Sequence, residues 1–178
     1  LPEAPLLEGR GSWSPDGKTA LLRSNRDGTA RIWRANLGDG SAAPLAGAEG
    51  YEAFEAPNGY VYFVKARGPS ELWRVPSEGG DAELILRAGP DDWWNGVQEG
   101  WWALTGDGFG AVLQDRERAR AIYWQRYDWD GRPRGEPLPL PADGPVRKGI
   151  AVSRDGLRVY FSAEARELAE VRRLPLSR

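Results

Sequence analysis

SWSPDGKTALLRSNRDGTARIWRANLGDGSAAPLAG, residues 12–47, is the stretch on which the fold turns. Asp16-Gly17 is a tight-turn pair, because Gly accepts positive φ cheaply and Asp bonds its own backbone. TALLRS (19–24) follows as a run of β-formers, then ARIWRA carrying Trp33, a turn at Gly40, and the short strand APLAG (43–47). That reads as strand, turn, strand, loop, strand, turn, strand: an antiparallel meander.

The pattern recurs outward along the chain. Asp/Asn-Gly pairs end at Gly17, Gly59, Gly108 and Gly156, which are 42, 49 and 48 residues apart. Each precedes an extended run: TALLRS, YVYFV (60–64), FGAVLQ (109–114) and LRVYFS (157–162). Trp33, Trp73, Trp124 and, in the fourth copy, Arg172 lie 14 to 16 residues beyond these glycines. Gly40, Gly80 and Gly131 follow each Trp by seven residues, ahead of APLAG, AELIL (82–86) and EPLPL (136–140). A period of ~40–50 residues with four strands is the size of one propeller blade. AEARELAEVRRL (163–174) is helix-friendly in composition, but its place in the repeat is that of a strand.

The expected architecture is therefore all-β: one β-propeller domain over 1–178, with four blades of four-stranded antiparallel sheet. The blades run approximately 9–47, 51–86, 93–140 and 146–178. The last lacks its fourth strand. PEAPLLEG (2–9) has the character of that strand type, so the N-terminal strand is expected to close the ring and pair otherwise open edges. A piece cut from a longer propeller, or a half-ring completed by a dimer, gives the same repeat count; a closed ring is expected to be a monomer.

The segment 12–47 resembles the TolB-type β-propeller repeat, with its Ser-Pro-Asp-Gly turn, aromatic-bearing strand and Gly-rich turn. APNGYVYFVKARGPSELWRVPSEGGDAELIL (56–86) is similar, and GIAVSRDGLRVYFS (149–162) is a further copy with Arg154 in place of Pro. The third unit departs most, with TGDGF in place of SPDG. Propellers of this type occur as periplasmic scaffolds, gating domains of serine peptidases and sensor parts of membrane-linked regulators. The resemblance implies a binding platform and no reaction of its own.

Composition narrows the chemistry. The 178 residues contain no His and no Cys. That removes the Ser-His-Asp triad, the imidazole base, the thiol nucleophile, disulfides and the usual structural zinc. Net charge is −2, from 24 basic and 26 acidic residues, which argues against a nucleic-acid partner. No apolar run approaches the ~20 residues of a membrane span. No Walker or Rossmann phosphate loop, catalytic residue, metal site or cofactor is expected. The absence of Met and Cys and the scarcity of Asn and Gln lean toward a heat-adapted source; GC-rich codon usage accounts for the Arg, Ala, Gly and Pro excess equally well. The start at Leu1 fits either a processed mature chain, as cleavage of a secretory signal would leave, or a fragment of a longer one; the expected compartment is periplasmic or extracellular.

The candidate binding face carries the loops between second and third strands and those between blades. It holds Tyr51, Arg67, Arg87, Arg116 and Arg118, together with RAGPDDWWNGVQEG (87–100), the longest insertion in the repeat. Trp93 and Trp94 inside it offer an aromatic platform; their competing reading is packing over the blade interface. The arginines suit carboxylates or other anions, against a solvated mixed-charge rim such as DRERAR (115–120). Trp33, Trp73 and Trp124 read as repeated core packing. The expected function is non-catalytic recognition of a protein or peptide partner. The runner-up is a carbohydrate-binding or carbohydrate-cleaving propeller using exposed Trp and two carboxylates.

Overall fold

A computed structural model describes residues 11–66, 70–118, 121–141, 146–153, 158–164 and 169–175. The strands are β1 (Gly11–Trp13), β2 (Thr19–Ser24), β3 (Arg31–Asn36), β4 (Ala42–Pro44), β5 (Glu52–Glu55), β6 (Tyr60–Val64), β7 (Leu72–Pro76) and β8 (Glu83–Leu86). They continue as β9 (Trp102–Thr105), β10 (Gly108–Gln114), β11 (Ile122–Asp128), β12 (Pro133–Pro139), β13 (Val146–Val152), β14 (Arg158–Glu164) and β15 (Ala169–Pro175). Each sheet is an antiparallel meander in sequence order: β1 to β4, β5 to β8, β9 to β12, and three strands, β13 to β15. The repeat thus produces four-stranded antiparallel sheets as expected. The segment 2–9, assigned the closing role, lies outside the described residues.

The turn chemistry explains where the strands begin. Ser14 Oγ donates to Asp16 Oδ1 at 2.7 Å and accepts the Thr19 N–H at 2.9 Å. Asp16 Oδ1 also accepts the Lys18 N–H, and Gly17 sits at φ 70°. Lys18's backbone N–H and the Ser14 hydroxyl hold the Asp16 carboxyl below its ordinary pKa. Ser153 repeats the arrangement, its Oγ accepting the Arg158 N–H at 3.0 Å. The third sheet differs from expectation. Its turn is made by residues 106 and 107, and Gly108 is already the first residue of β10, paired with Thr105 and Asp128. Glycine is required there by close approach, not by positive φ: a Cβ would run into the Tyr127 carbonyl oxygen.

Two compact units emerge, one comprising residues 11–66 and 71–86, the other residue 70 and the described residues from 87 onward. In the first, Leu21, Ile32, Leu45, Ala48, Ala53, Val61, Phe63 and Val75 bury against one another across two sheets. In the second, Trp101, Val112, Ile122, Trp124, Leu140, Val159 and Phe161 do the same. Sheets must bury a face against something, and here each covers a neighbour. The repeated tryptophans occupy one register position: Trp33 pairs with Leu22, Trp73 with Phe63 and Trp124 with Val112, while Arg172 pairs with Phe161. Trp33 and Trp124 are buried and Trp73 is half-buried, so packing is their role. The outer strand β12 is exposed and carries Pro133, Pro137 and Pro139.

Asp107 closes the third sheet's turn. It accepts from Thr105 Oγ1 and pairs with Arg126 at 2.9 Å and Arg134 at 2.6 Å. Partial burial pushes its carboxyl upward, but the Arg126 hydrogen bond and the charges of Arg126 and Arg134 outweigh that, and the net shift is downward.

A lowered folded-state pKa contributes stability above the unfolded value of about 3.9 and loses it as pH falls through the folded value. Asp107→Asn should therefore lower the denaturation midpoint at neutral pH, by an amount that shrinks below about pH 4 and in high salt, since the pair is half-exposed. Equal deficits at pH 3 and pH 7 would refute the role. Packing gives a second test. A Cβ at Gly110 would enter the Trp124 ring. Gly110→Ala should cost about 2 kcal/mol in urea unfolding, typical of overpacking a closed core.

Candidate functional site

The insertion 87–100 links β8 to β9, and residues 115–121 link β10 to β11. Both lie in the second unit, and one side chain joins them. Arg116 donates from Nε to the Trp94 carbonyl at 2.8 Å, from Nη1 to Pro90 at 2.6 Å and from Nη2 to Gly89 at 2.8 Å. Its backbone N–H donates to the Trp93 carbonyl at 2.8 Å. The guanidinium fork thus ties three carbonyls of an irregular segment that has no ladder of its own to satisfy them. Asp115 Oδ1 fixes the other side of the clamp by accepting the N–H groups of Glu117 and Arg118, both at 2.9 Å. Asn95 Nδ2 donates to Gln114 Oε1 at 3.2 Å.

This clamp sorts the adjacent tryptophans. Trp94, bridged to Asp115, is buried at 7% exposure, while Trp93 remains 42% exposed. The Trp93 ring stands edge-on to Tyr123, with centroids 5.0 Å apart and planes at 82°. Arg87 and Arg118 are exposed. Burial and the Asp92 charge push the Tyr127 hydroxyl well above the ordinary phenol range.

Of the residues singled out from sequence, Trp93, Trp94 and Arg116 come together. Tyr51 belongs to the first unit, where the Arg23 guanidinium lies over its ring at 4.5 Å from the centroid. Arg67 lies outside the described residues. Tyr123 and Arg23 were not anticipated. For Arg23 a signal existed, since the other copies carry Val64, Leu113 and Ser162 at its place in the repeat.

The first unit also has a cleft of about 430 Å³ lined by Arg34, Ala43, Pro44, Leu45, Glu55, Ser77 and Glu78. Arg34 is committed there, to both Glu55 oxygens at 3.1 and 3.0 Å and to the Ser77 carbonyl at 2.9 Å. Among the described residues no group of three or more Asp or Glu comes together as a metal site requires. None of them forms a helix long and apolar enough to cross a membrane.

Comparison with known proteins follows the same lines. No family model matches the chain. An uncharacterised protein of Agrobacterium fabrum is 28% identical over 123 residues, which is 67% of this chain and 42% of the relative. Among solved structures, TolB from Agrobacterium tumefaciens superposes with a TM-score of 0.65 at 24% identity, over 97% of this chain and 59% of that one. TolB from Acinetobacter baumannii gives 0.62 at 17%, over 95% and 41%. A prolyl endopeptidase gives 0.62 at 14%, over 93% and 24%. The chain is thus related in fold to TolB-like propellers, and it spans well under two thirds of the length of these proteins.

The clamp makes a direct prediction. Arg116→Ala should release residues 89–94, seen as faster amide exchange there and a Trp fluorescence more open to quenching. The global cost should stay below about 2 kcal/mol, because the bonds lie at the surface. Unchanged exchange at 89–94 would show that the loop holds itself.

Proposed function

We propose that this chain is a non-catalytic binding propeller that recognises a protein or peptide partner through its loop face. Trp93 is the central anchor. Arg87 and Arg118 stand at the rim, Arg116 holds the loop in shape, and Trp94 packs beneath. Tyr51, in the first unit, and Arg67 are proposed as further contact residues. The carrying observation is Trp93 itself: a large aromatic, 42% exposed, on a segment fixed by three side-chain hydrogen bonds. Interfaces draw their energy from few residues, enriched in Trp, Tyr and Arg, and a pre-ordered anchor loses little entropy on binding. The relationship in fold to TolB-like propellers supports an interaction platform. Propeller-bearing peptidases share the fold as well, so the absence of turnover is part of the proposal.

The proposal extends to a four-bladed ring completed by residues 2–9, monomeric, in the periplasm or outside the cell. Light scattering tests the ring through its mass, expected at 19.7 kDa. A photo-crosslinker placed at position 118 tests the face, with Trp93→Ala as control. Trp93→Ala should melt with the parent and abolish specific capture, whereas Trp94→Ala should cost about 3–5 kcal/mol of stability. If Trp93→Ala captures the same partners with the same yield, Trp93 is not the anchor. Hydrolysis of a glycoside or peptide panel that vanishes with a single Asp or Glu substitution would overturn the non-catalytic reading.

A further inference from the structure

Arg23 is the anomaly of the first unit. It lies on β2 one residue beyond Leu22, the partner of Trp33. The same register position holds Val64 on β6, Leu113 on β10 and Ser162 on β14. Val64 is fully buried and Leu113 is 2% exposed, so two of the three equivalent positions are buried apolar side chains, and none of the three carries a charge. In the first sheet it holds a guanidinium instead, only 6% exposed. Arg23 lies over the Tyr51 ring, its Nε is buried without a hydrogen-bond partner, and among the described residues no carboxylate pairs with it.

A desolvated cation held by an aromatic face alone is under-compensated. A cation–π contact returns only part of what taking an ion out of water costs. The fold does not need the charge, as three other copies of the position show. We propose that Arg23, backed by Tyr51, is a receptor for a carboxylate carried by the binding partner. The planar fork offers parallel N–H donors matched to a carboxylate, and the Tyr51 ring backs it at 4.5 Å from the centroid. Arg26 is occupied otherwise, its Nε on Ser24 Oγ at 3.0 Å and its guanidinium over Trp33. The receptor is thus Arg23 rather than a general basic rim. The inference rests on the binding reading at Tyr51 and is independent of Trp93.

Two carboxylate sources share this chemistry, an acidic side chain and a peptide C-terminus. The test follows the Arg23 Nε–H resonance of the full chain during titration with three probes: acetyl-Ala-Glu-Ala-amide, acetyl-Ala-Ala-Ala with a free C-terminus, and acetyl-Ala-Ala-Ala-amide. A carboxylate probe should shift the resonance with a dissociation constant of about 1 mM or tighter, and the amide should not. The probe that binds more tightly identifies the source. Arg23→Leu, which installs the side chain of the third copy, should melt at or above the parent, because replacing an unpaired buried ion with a hydrophobe relieves desolvation. It should also weaken the carboxylate probe at least about tenfold. Trp93→Ala should leave the probe's affinity unchanged. No shift with either carboxylate, or an equal shift with the amide, overturns the receptor. So does an Arg23→Leu variant that binds the probes as the parent does. If the receptor fails while Trp93-dependent capture persists, only this inference falls; the reverse result removes the Trp93 anchor and leaves the receptor standing.

Discussion

Everything here depends on the pairing of the second and third strands within each sheet. In the three four-stranded sheets these strands are central, flanked by hydrogen-bonded neighbours on both edges. β6 and β10 show the result, with nearly every residue buried. A meander this apolar at its centre is stable only against another sheet, and the shared clusters supply that cover within each unit. The outer strands vary more, from the mostly exposed β12 to the mostly buried β9. Where the loops exceed the minimum, as in 87–100, other side chains must satisfy the backbone, and Arg116 does so.

Much of this architecture was legible because the repeat reports register directly. Trp33, Trp73 and Trp124 fall opposite Leu22, Phe63 and Val112 at the spacing their turn glycines imply. Ala169–Pro175, helix-friendly in composition, forms a strand because β14 offers it a full ladder. Gly108 was misread, since a glycine next to Asp looks the same in sequence whether it supplies positive φ or makes room for a carbonyl. The candidate site was legible in outline only. Sequence marks Trp93 and Trp94 as a pair, but which of them is exposed depends on where Arg116 reaches, 22 residues away.

Arginine dominates the basic residues, and the structure gives its copies different work. Arg116 is an anchor for backbone carbonyls. Arg34 balances Glu55 inside a cleft, and Arg126 and Arg134 share Asp107. Arg26 and Arg23 lie over aromatic rings. A guanidinium serves all these roles because it has five donors, a flat apolar face and a charge that does not titrate away. A count of arginines on one face therefore says little about anion binding; what matters is which donors remain unspent.

Pro133, Pro137 and Pro139 on the exposed outer strand β12 carry a further consequence. Proline has no N–H to offer, so this edge is a broken template for another chain seeking to extend the sheet. Its strand neighbour β11 is rich in Ile, Tyr and Trp, the composition that seeds cross-β stacking when an edge is accessible. An interrupted rim beside such a strand is poorly matched to edge-to-edge addition of another chain, a consequence of three prolines on a strand that is mostly exposed.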